Sequence, residues 1–346
     1  MKKILIYSCA FILIFFILPA ICTIAPKEPL KEANSNNVEE EKINHETENK
    51  ENTGVSEYNY EKYKTIKLLH TATNEVEELN IDEYLYGVVA SEMPVNFEVE
   101  ALKAQAIVAR TYTIYQIIHN TTQHKDGDVC DNYACCQAWI SKEERFSKWN
   151  ANEAEANWQK LVGAVNATKG KIITYQGQPI NAFFHANSGG ITESSLNIWG
   201  GIDYPYLKSV ETSGEQEYNQ YNSEMIFTKE ELNNKIKEKY QDFSIDYEQE
   251  DCIKILEYTS SGRIKTIKIG NKEFAGTEIR AILGLKSTNF TFSVNGENII
   301  FSVIGYGHGV GMSQTGADAL ARNGMKSDEI IKHFYTDVEI IEVNSL

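Results

Sequence analysis

From Lys27 to Glu57 the chain is mostly Glu, Asn, Lys and Thr with few large apolar residues, too little apolar surface to offset the entropy of ordering it. This stretch reads as a flexible, disordered linker, so a compact structure must begin near Tyr58 and use residues 58–346. The hydrophobic fraction, 42% of 346 residues, is ample for a sizeable core there. Before the linker an apolar run from Ile4 to Ile24 follows Lys2 and Lys3. As a helix it spans roughly 30 Å, a bilayer's hydrocarbon thickness. The residues divide into 1–25, a cytoplasmic stub and transmembrane helix; 26–57, the linker; and 58–346, an extracytoplasmic domain. A cleaved signal peptide is the rival reading of the first segment. Either way the bulk of the chain works outside the cytoplasm, and the expected location is the cell membrane, single-pass. The formal net charge of −16 leaves no global field to attract nucleic acid, so any anionic ligand needs a local cluster of cations.

Within 58–346 helices and strands interleave, which indicates an α+β fold of mixed helices and antiparallel strands. Alternation in YKTIKLLH and NEVEELN predicts a hairpin around Ala72 to Asn74, followed by a short helix, IDEYLYGVVASEM, that Pro94 stops. Asn96 reads as the N-cap of a long helix with Leu102, Ala106, Ala109 and Thr113 along one face. A further helix runs from about Ala151 to Thr168, with strands GKIITYQ and INAFFHA behind it. From Val210 to Ile299 a helix near Lys229 to Tyr240 and strands with turns at Ser261-Gly262 and Asn295-Gly296 suggest a second, smaller lobe. The run GYGHGVGMSQTGA, two short helices and a last strand close the chain.

Glu92 stands at the C-terminal end of the short helix, where the dipole disfavours an anion, and beside Met93 and Pro94, which desolvate it. Both effects raise its pKa, as a general acid working near neutral pH requires. His124, Cys130 and Cys136 follow an H-x5-C-x5-C spacing in a polar segment. Three such ligands with an open fourth position suit zinc, Cys135 is a spare donor, and a disulfide is the competing reading. His185, Asn187 and Ser188 lie where a strand gives out into a loop. Glycines at 305, 307, 309 and 311 flank His308, and Ser313 and Gln314 open the next helix, whose free amides can donate to a ligand that the glycines let approach closely. A structural hydrogen-bonding role suits both histidines equally. Trp199, Tyr204 and Tyr206 can stack on a ligand's rings or fill a core.

The motifs VVASEMP, ALKAQAIVARTY, FFHANSGG with IWGG and PYL, and GYGHGVGMSQTGA occur in the order found in stage II sporulation protein D and the related amidase enhancers, a family that this chain resembles from roughly Asn80 to Val343. The resemblance is thin over 210–299. It implies a membrane-anchored lytic transglycosylase of the sporulation septum. Such an enzyme cuts peptidoglycan strands between N-acetylmuramic acid and N-acetylglucosamine during engulfment, after removal of the stem peptides. In that reading Glu92 is the catalytic acid. Lys103 and Arg110, seven apart on one helix face, hold the muramic lactyl carboxylates. His185, Asn187, Ser188, Tyr206, His308, Ser313 and Gln314 complete the substrate site. For clostridial members the resemblance also supports zinc on His124, Cys130 and Cys136. Implied partners are the glycan strands, a sporulation amidase and a multispanning membrane protein. The alternatives are a non-catalytic glycan-binding activator of an amidase and a zinc hydrolase; the absence of an HExxH-type helix weighs against the latter.

Overall fold

The computed structural model of the chain describes residues 60–119, 124, 126–201 and 203–343. The expected transmembrane helix and linker lie outside these residues, and no helix among the described residues is long and apolar enough to cross a membrane. Strands β1 (Thr65–His70) and β2 (Glu75–Asn80) form the expected antiparallel hairpin. The side chain of Asn80 then caps helix α1 (Ile81–Glu92) by accepting from the Asp82 amide. Met93 is extended, with φ −121 and ψ 139, because a residue preceding proline is forced out of the helical region. Glu92 is therefore the last helical residue.

Helix α2 (Val99–His119) starts later than Asn96 predicts. The cap comes from far away in sequence: the Glu98 amide donates to Oδ1 of buried Asp318 at 2.6 Å. The helix is buried around most of its circumference, from Leu102 and Ala104 to Ala109 and Arg110, so it is the axis of the main core. Around it lie β3 (Val129–Cys130), α3 (Lys142–Lys148), α4 (Ala154–Asn166), β4 (Lys171–Tyr175), β5 (Gln178–Pro179), β6 (Phe184–His185) and α5 (Ser195–Trp199). INAFFHA, expected as one strand, is not continuous. The Asn181 amide is taken by the Tyr206 hydroxyl, and the Phe183 carbonyl by the Met312 amide and the Tyr335 hydroxyl, so of this stretch only Phe184 and His185 pair as a strand, with Met312 and Ser313.

A second apolar core lies between Phe227 and Val303. Its elements are β7 (Asn222–Thr228), α6 (Lys229–Lys239), β8 (Ile253–Tyr258), β9 (Ile264–Ile269), β10 (Lys272–Ala275), α7 (Gly276–Leu283), β11 (Phe290–Asn295) and β12 (Asn298–Ile304), in two antiparallel sheets ordered β10-β9-β8 and β11-β12-β7. The chain then returns to the main core with β13 (Met312–Ser313), α8 (Gln314–Arg322), α9 (Ser327–Phe334) and β14 (Glu339–Glu342), the last pairing with β4. The architecture is α+β with antiparallel pairing predominant, but β1 with β3 and β6 with β13 are parallel. Those two short ladders carry Cys130, His185 and Ser313.

Candidate active site

A cavity of about 1100 Å³ opens beside the C-terminal end of α1 and takes walls from both cores. That exceeds the usual range for a small-molecule pocket, roughly 300–1,000 Å³, and suits an oligomeric ligand. Glu92 stands in its wall: Oε1 accepts from the Ala138 amide at 2.8 Å and Oε2 from Gln314 Nε2 at 3.0 Å. Burial pushes its pKa up, and the two hydrogen bonds only partly oppose that. The loop after Glu92 is pinned by Lys160 Nζ, which donates to the carbonyls of Val95 and Phe97, 2.7 Å each. Among the described residues Glu92 is the only carboxylate that lines the cavity.

The opposite wall is aromatic. Phe183 and Trp199 have centroids 4.6 Å apart, Trp199 and His308 5.2 Å, and His308 and His185 5.6 Å. His185 Nδ1 donates to the Val310 carbonyl and His308 Nδ1 accepts from the Val310 amide. Burial lowers the pKa of His308 to about 3 and that of His185 well below the ordinary value, so both rings are neutral at neutral pH. The glycine run makes this crossing possible: Gly311, at φ 72, passes so close to strand β6 that a Cβ would sit 2.0 Å from the Phe183 carbonyl oxygen.

Glu92, His185, His308 and Gln314 thus meet at one cavity, and other expected site residues do not. Arg110 is fully buried, donating to Asp82 at 3.1 Å and to the Thr168 carbonyl at 2.7 Å, so it braces α1 against α2 and does not reach substrate. Lys103 pairs with Glu100 at 2.8 Å, outside the cavity. Arg110 thus meets neighbouring elements of the fold, whereas the half-buried Lys103 is tied back to Glu100 of its own helix. Tyr206 is buried, its hydroxyl accepting from the Asn181 amide. Asn187, Ser188 and Ser313 are also buried and do not line the cavity. Asn187 donates to Thr315 Oγ1, while Ser188 and Ser313 both donate to the carboxylate of Glu215. Glu215, buried and accepting also from Gly190 and Thr315, is the hub under the site and carries no local sequence signal. Sequence reasoning also missed Arg145, Arg280, Tyr133 and Tyr306, which line the cavity.

At one edge of the cavity the donor atoms of His124, Cys130, Cys135 and Cys136 all lie within 4.8 Å of one another. His124 Nε2 is 3.2 Å from Cys136 Sγ and 3.5 Å from Cys135 Sγ. The cysteines are free thiols, and Cys135 and Cys136 line the cavity with Glu92. One imidazole and three thiols at these separations match the donor set and size of a tetrahedral zinc site.

Fold and site together define a two-core α+β protein whose cavity holds a single carboxylic acid among the described residues. The SpoIID family, stage II sporulation protein, matches residues 69–175. The chain is 36% identical over 282 residues to stage II sporulation protein D of Bacillus subtilis, covering 81% of this chain and 80% of that one. It is 35% identical over 283 residues to the protein of the same name from Bacillus amyloliquefaciens, again covering 81% and 80%. An amidase enhancer of Bacillus subtilis is 26% identical over 302 residues, 72% of this chain and 39% of that one. The chain belongs to the stage II sporulation protein D family.

Proposed function

We propose that this protein is a lytic transglycosylase acting on peptidoglycan glycan strands already stripped of stem peptides. The observation that carries the reading is the solitary carboxylic acid: Glu92 lines the cavity, raised in pKa by burial and held by Ala138 and Gln314. Protonated Glu92 gives its proton to the oxygen linking C1 of N-acetylmuramic acid to N-acetylglucosamine, and the C1–O bond breaks. The resulting carboxylate takes the proton of the muramic C6 hydroxyl as that oxygen closes on C1, leaving a 1,6-anhydro end and restoring the acid. One carboxylate serves both steps, whereas a two-carboxylate hydrolase needs a second, to activate water or to attack C1. Gln314 and Ala138 hold the carboxyl's orientation between steps. Trp199 and Phe183 offer an apolar surface for sugar rings, and neutral His308 and His185 present ring nitrogens without adding charge.

Zinc fits the cluster at the cavity edge, with His124, Cys130 and Cys136 as ligands and Cys135 as the fourth. With these four residues as ligands zinc would serve to order the loop bordering the cavity, and Glu92 remains the acid. We read residues 4–24 as the anchor that holds the domain outside the membrane at the septum. A cell-wall amidase that removes stem peptides and a multispanning membrane protein are the expected partners. The second reading, an activator of an amidase, is favoured by the similarity to an amidase enhancer.

Weighing the soluble fragments from defined glycan separates these readings. Transglycosylation consumes no water, so muramic products should be one water lighter than hydrolytic ones and lack a reducing end. Reducing-end products make the protein a hydrolase. No products, with an amidase stimulated in a parallel tube, makes it an activator.

A further inference from the structure

The chain has five arginines. Arg110 is paired with Asp82 and Arg322 with Asp318, and Arg263 donates to the carbonyls of Ser188 and Ile191. Arg145 and Arg280 have no carboxylate partner among the described residues, and both line the cavity that holds Glu92. In a chain of net charge −16, two half-enclosed guanidiniums without a counter-charge point to an anion supplied by the ligand. The two are not equivalent. Arg145 lies over the Trp149 ring at 4.7 Å, so a π face already stabilises its charge. Arg280 stands near the C-terminal end of α7, where the Gly284 and Leu285 amides both donate to its carbonyl and its own Nε donates to the Leu285 carbonyl at 3.2 Å. The stem is therefore fixed, and the two terminal nitrogens have no protein acceptor among the described residues. A guanidinium anchored through Nε with its outer edge free is the geometry that takes a carboxylate through two parallel hydrogen bonds.

We propose that Arg280, delivered by the second lobe, is the anion-binding residue of the cavity and takes the free lactyl carboxylate of an N-acetylmuramic acid residue. The proposal rests on the glycan reading of the site and deepens it. Arg280 assumes the role that sequence spacing gave to Lys103 and Arg110, and it gives the second lobe a function in substrate selection. A stem peptide converts that carboxylate to an amide, so Arg280 selects strands from which the peptide has been removed.

The test is equilibrium binding by calorimetry to the full-length chain in detergent, carrying Glu92→Gln so that nothing is cut. Two probes are compared: peptide-free glycan strands and the same strands with their lactyl carboxylates converted to carboxamides. The parent should prefer the carboxylate strand by roughly tenfold or more, the worth of a charge-assisted hydrogen bond. Arg280→Gln should bring that ratio to about one while binding the carboxamide strand as the parent does, and Arg280→Lys should keep part of the preference. A parent without preference, a preference that survives Arg280→Gln, or one that disappears with Arg145→Gln instead overturns the proposal. Because binding is read without turnover, failure of the transglycosylase reading shows only in the product masses and is distinguishable from failure here.

Discussion

Replacing Glu215 by Gln removes one charge and changes almost no volume, yet it should be among the most damaging single changes in the main core. The carboxylate is buried; Oε1 accepts from the Ser188 amide, the Ser313 hydroxyl and the Thr315 hydroxyl, and Oε2 from the Ser188 hydroxyl and the Gly190 amide. The hydroxyls can rotate and become acceptors. The two backbone amides cannot, so whichever end of the substituted side chain carries the nitrogen leaves either Ser188 or Gly190 facing a donor. An orphaned buried amide costs about 1–3 kcal/mol, and the remaining bonds lose their charge assistance, so the total should be about 3–5 kcal/mol. Urea unfolding followed by tryptophan fluorescence should show the midpoint falling at unchanged slope, while exposed Glu217→Gln stays within about 0.5 kcal/mol of the parent. Because Ser313 caps the helix that begins with Gln314, turnover should also fall in the folded fraction. A loss below about 1 kcal/mol would refute the hub.

Glu92→Gln should abolish cleavage, by at least the roughly 10²–10⁴-fold that general acid–base catalysis supplies, while leaving the fold intact, since the new amide oxygen accepts from Ala138 and a turned Gln314 amide restores the second bond. Its stability effect has a sign. The folded-state pKa of Glu92 is raised, so ionisation opposes folding, and the melting temperature of Glu92→Gln should gain on the parent as pH rises through that pKa, the difference being flat below about 4.3. Cleavage by the parent should fall over the same rise. His308 is depressed to about 3, so its contribution is complete above about 6.5 and is lost as pH falls towards 3; His308→Gln should flatten that acid limb in a thermal-melt series. Metal analysis should find about one zinc per chain, lost in Cys130→Ser or Cys136→Ser, with Cys135→Ser weakening retention against a chelator. Arg110→Gln should cost about 3–5 kcal/mol in urea unfolding by leaving buried Asp82 with only the long 3.9 Å contact to the exposed Lys169, whereas Lys103→Gln should alter neither stability nor substrate affinity appreciably.

What was legible in the sequence was what local chemistry decides. Asn80 and Pro94 bracket α1 and place Glu92 at its end, and the turns at Ser261-Gly262 and Asn295-Gly296 separate the strands of the second core. The crowded cysteines could be read as one cluster because a short loop brings them together. What escaped depends on pairing across the chain. Glu215 is one acid among many until Ser188, Gly190, Ser313 and Thr315 converge on it. The face shared by Lys103 and Arg110 was real, but periodicity gives a face without saying what it meets: Arg110 meets Asp82 and backbone carbonyls, and Lys103 pairs with Glu100 of its own helix. Arg280 sits in a stretch without a motif, and only the placement of α7 beside the cavity gives it a role.

That placement removes a conflict inherent in the chemistry. A site for an anionic glycan needs positive charge, yet a cation near the catalytic acid lowers its pKa and weakens it for the first step. Burial holds the Glu92 pKa up, opposed in part by the Ala138 amide and Gln314, and among the described residues no lysine or arginine pairs with it. Arg280 instead acts on His308 and His185, on the aromatic wall. There burial and the arginine both hold the imidazoles neutral, so they add no competing charge. Had the binding cation stood beside Glu92, affinity for the substrate and strength of the acid would have opposed each other. Carrying it on a separate lobe lets the same cavity bind a carboxylate and keep a proton on a carboxylic acid.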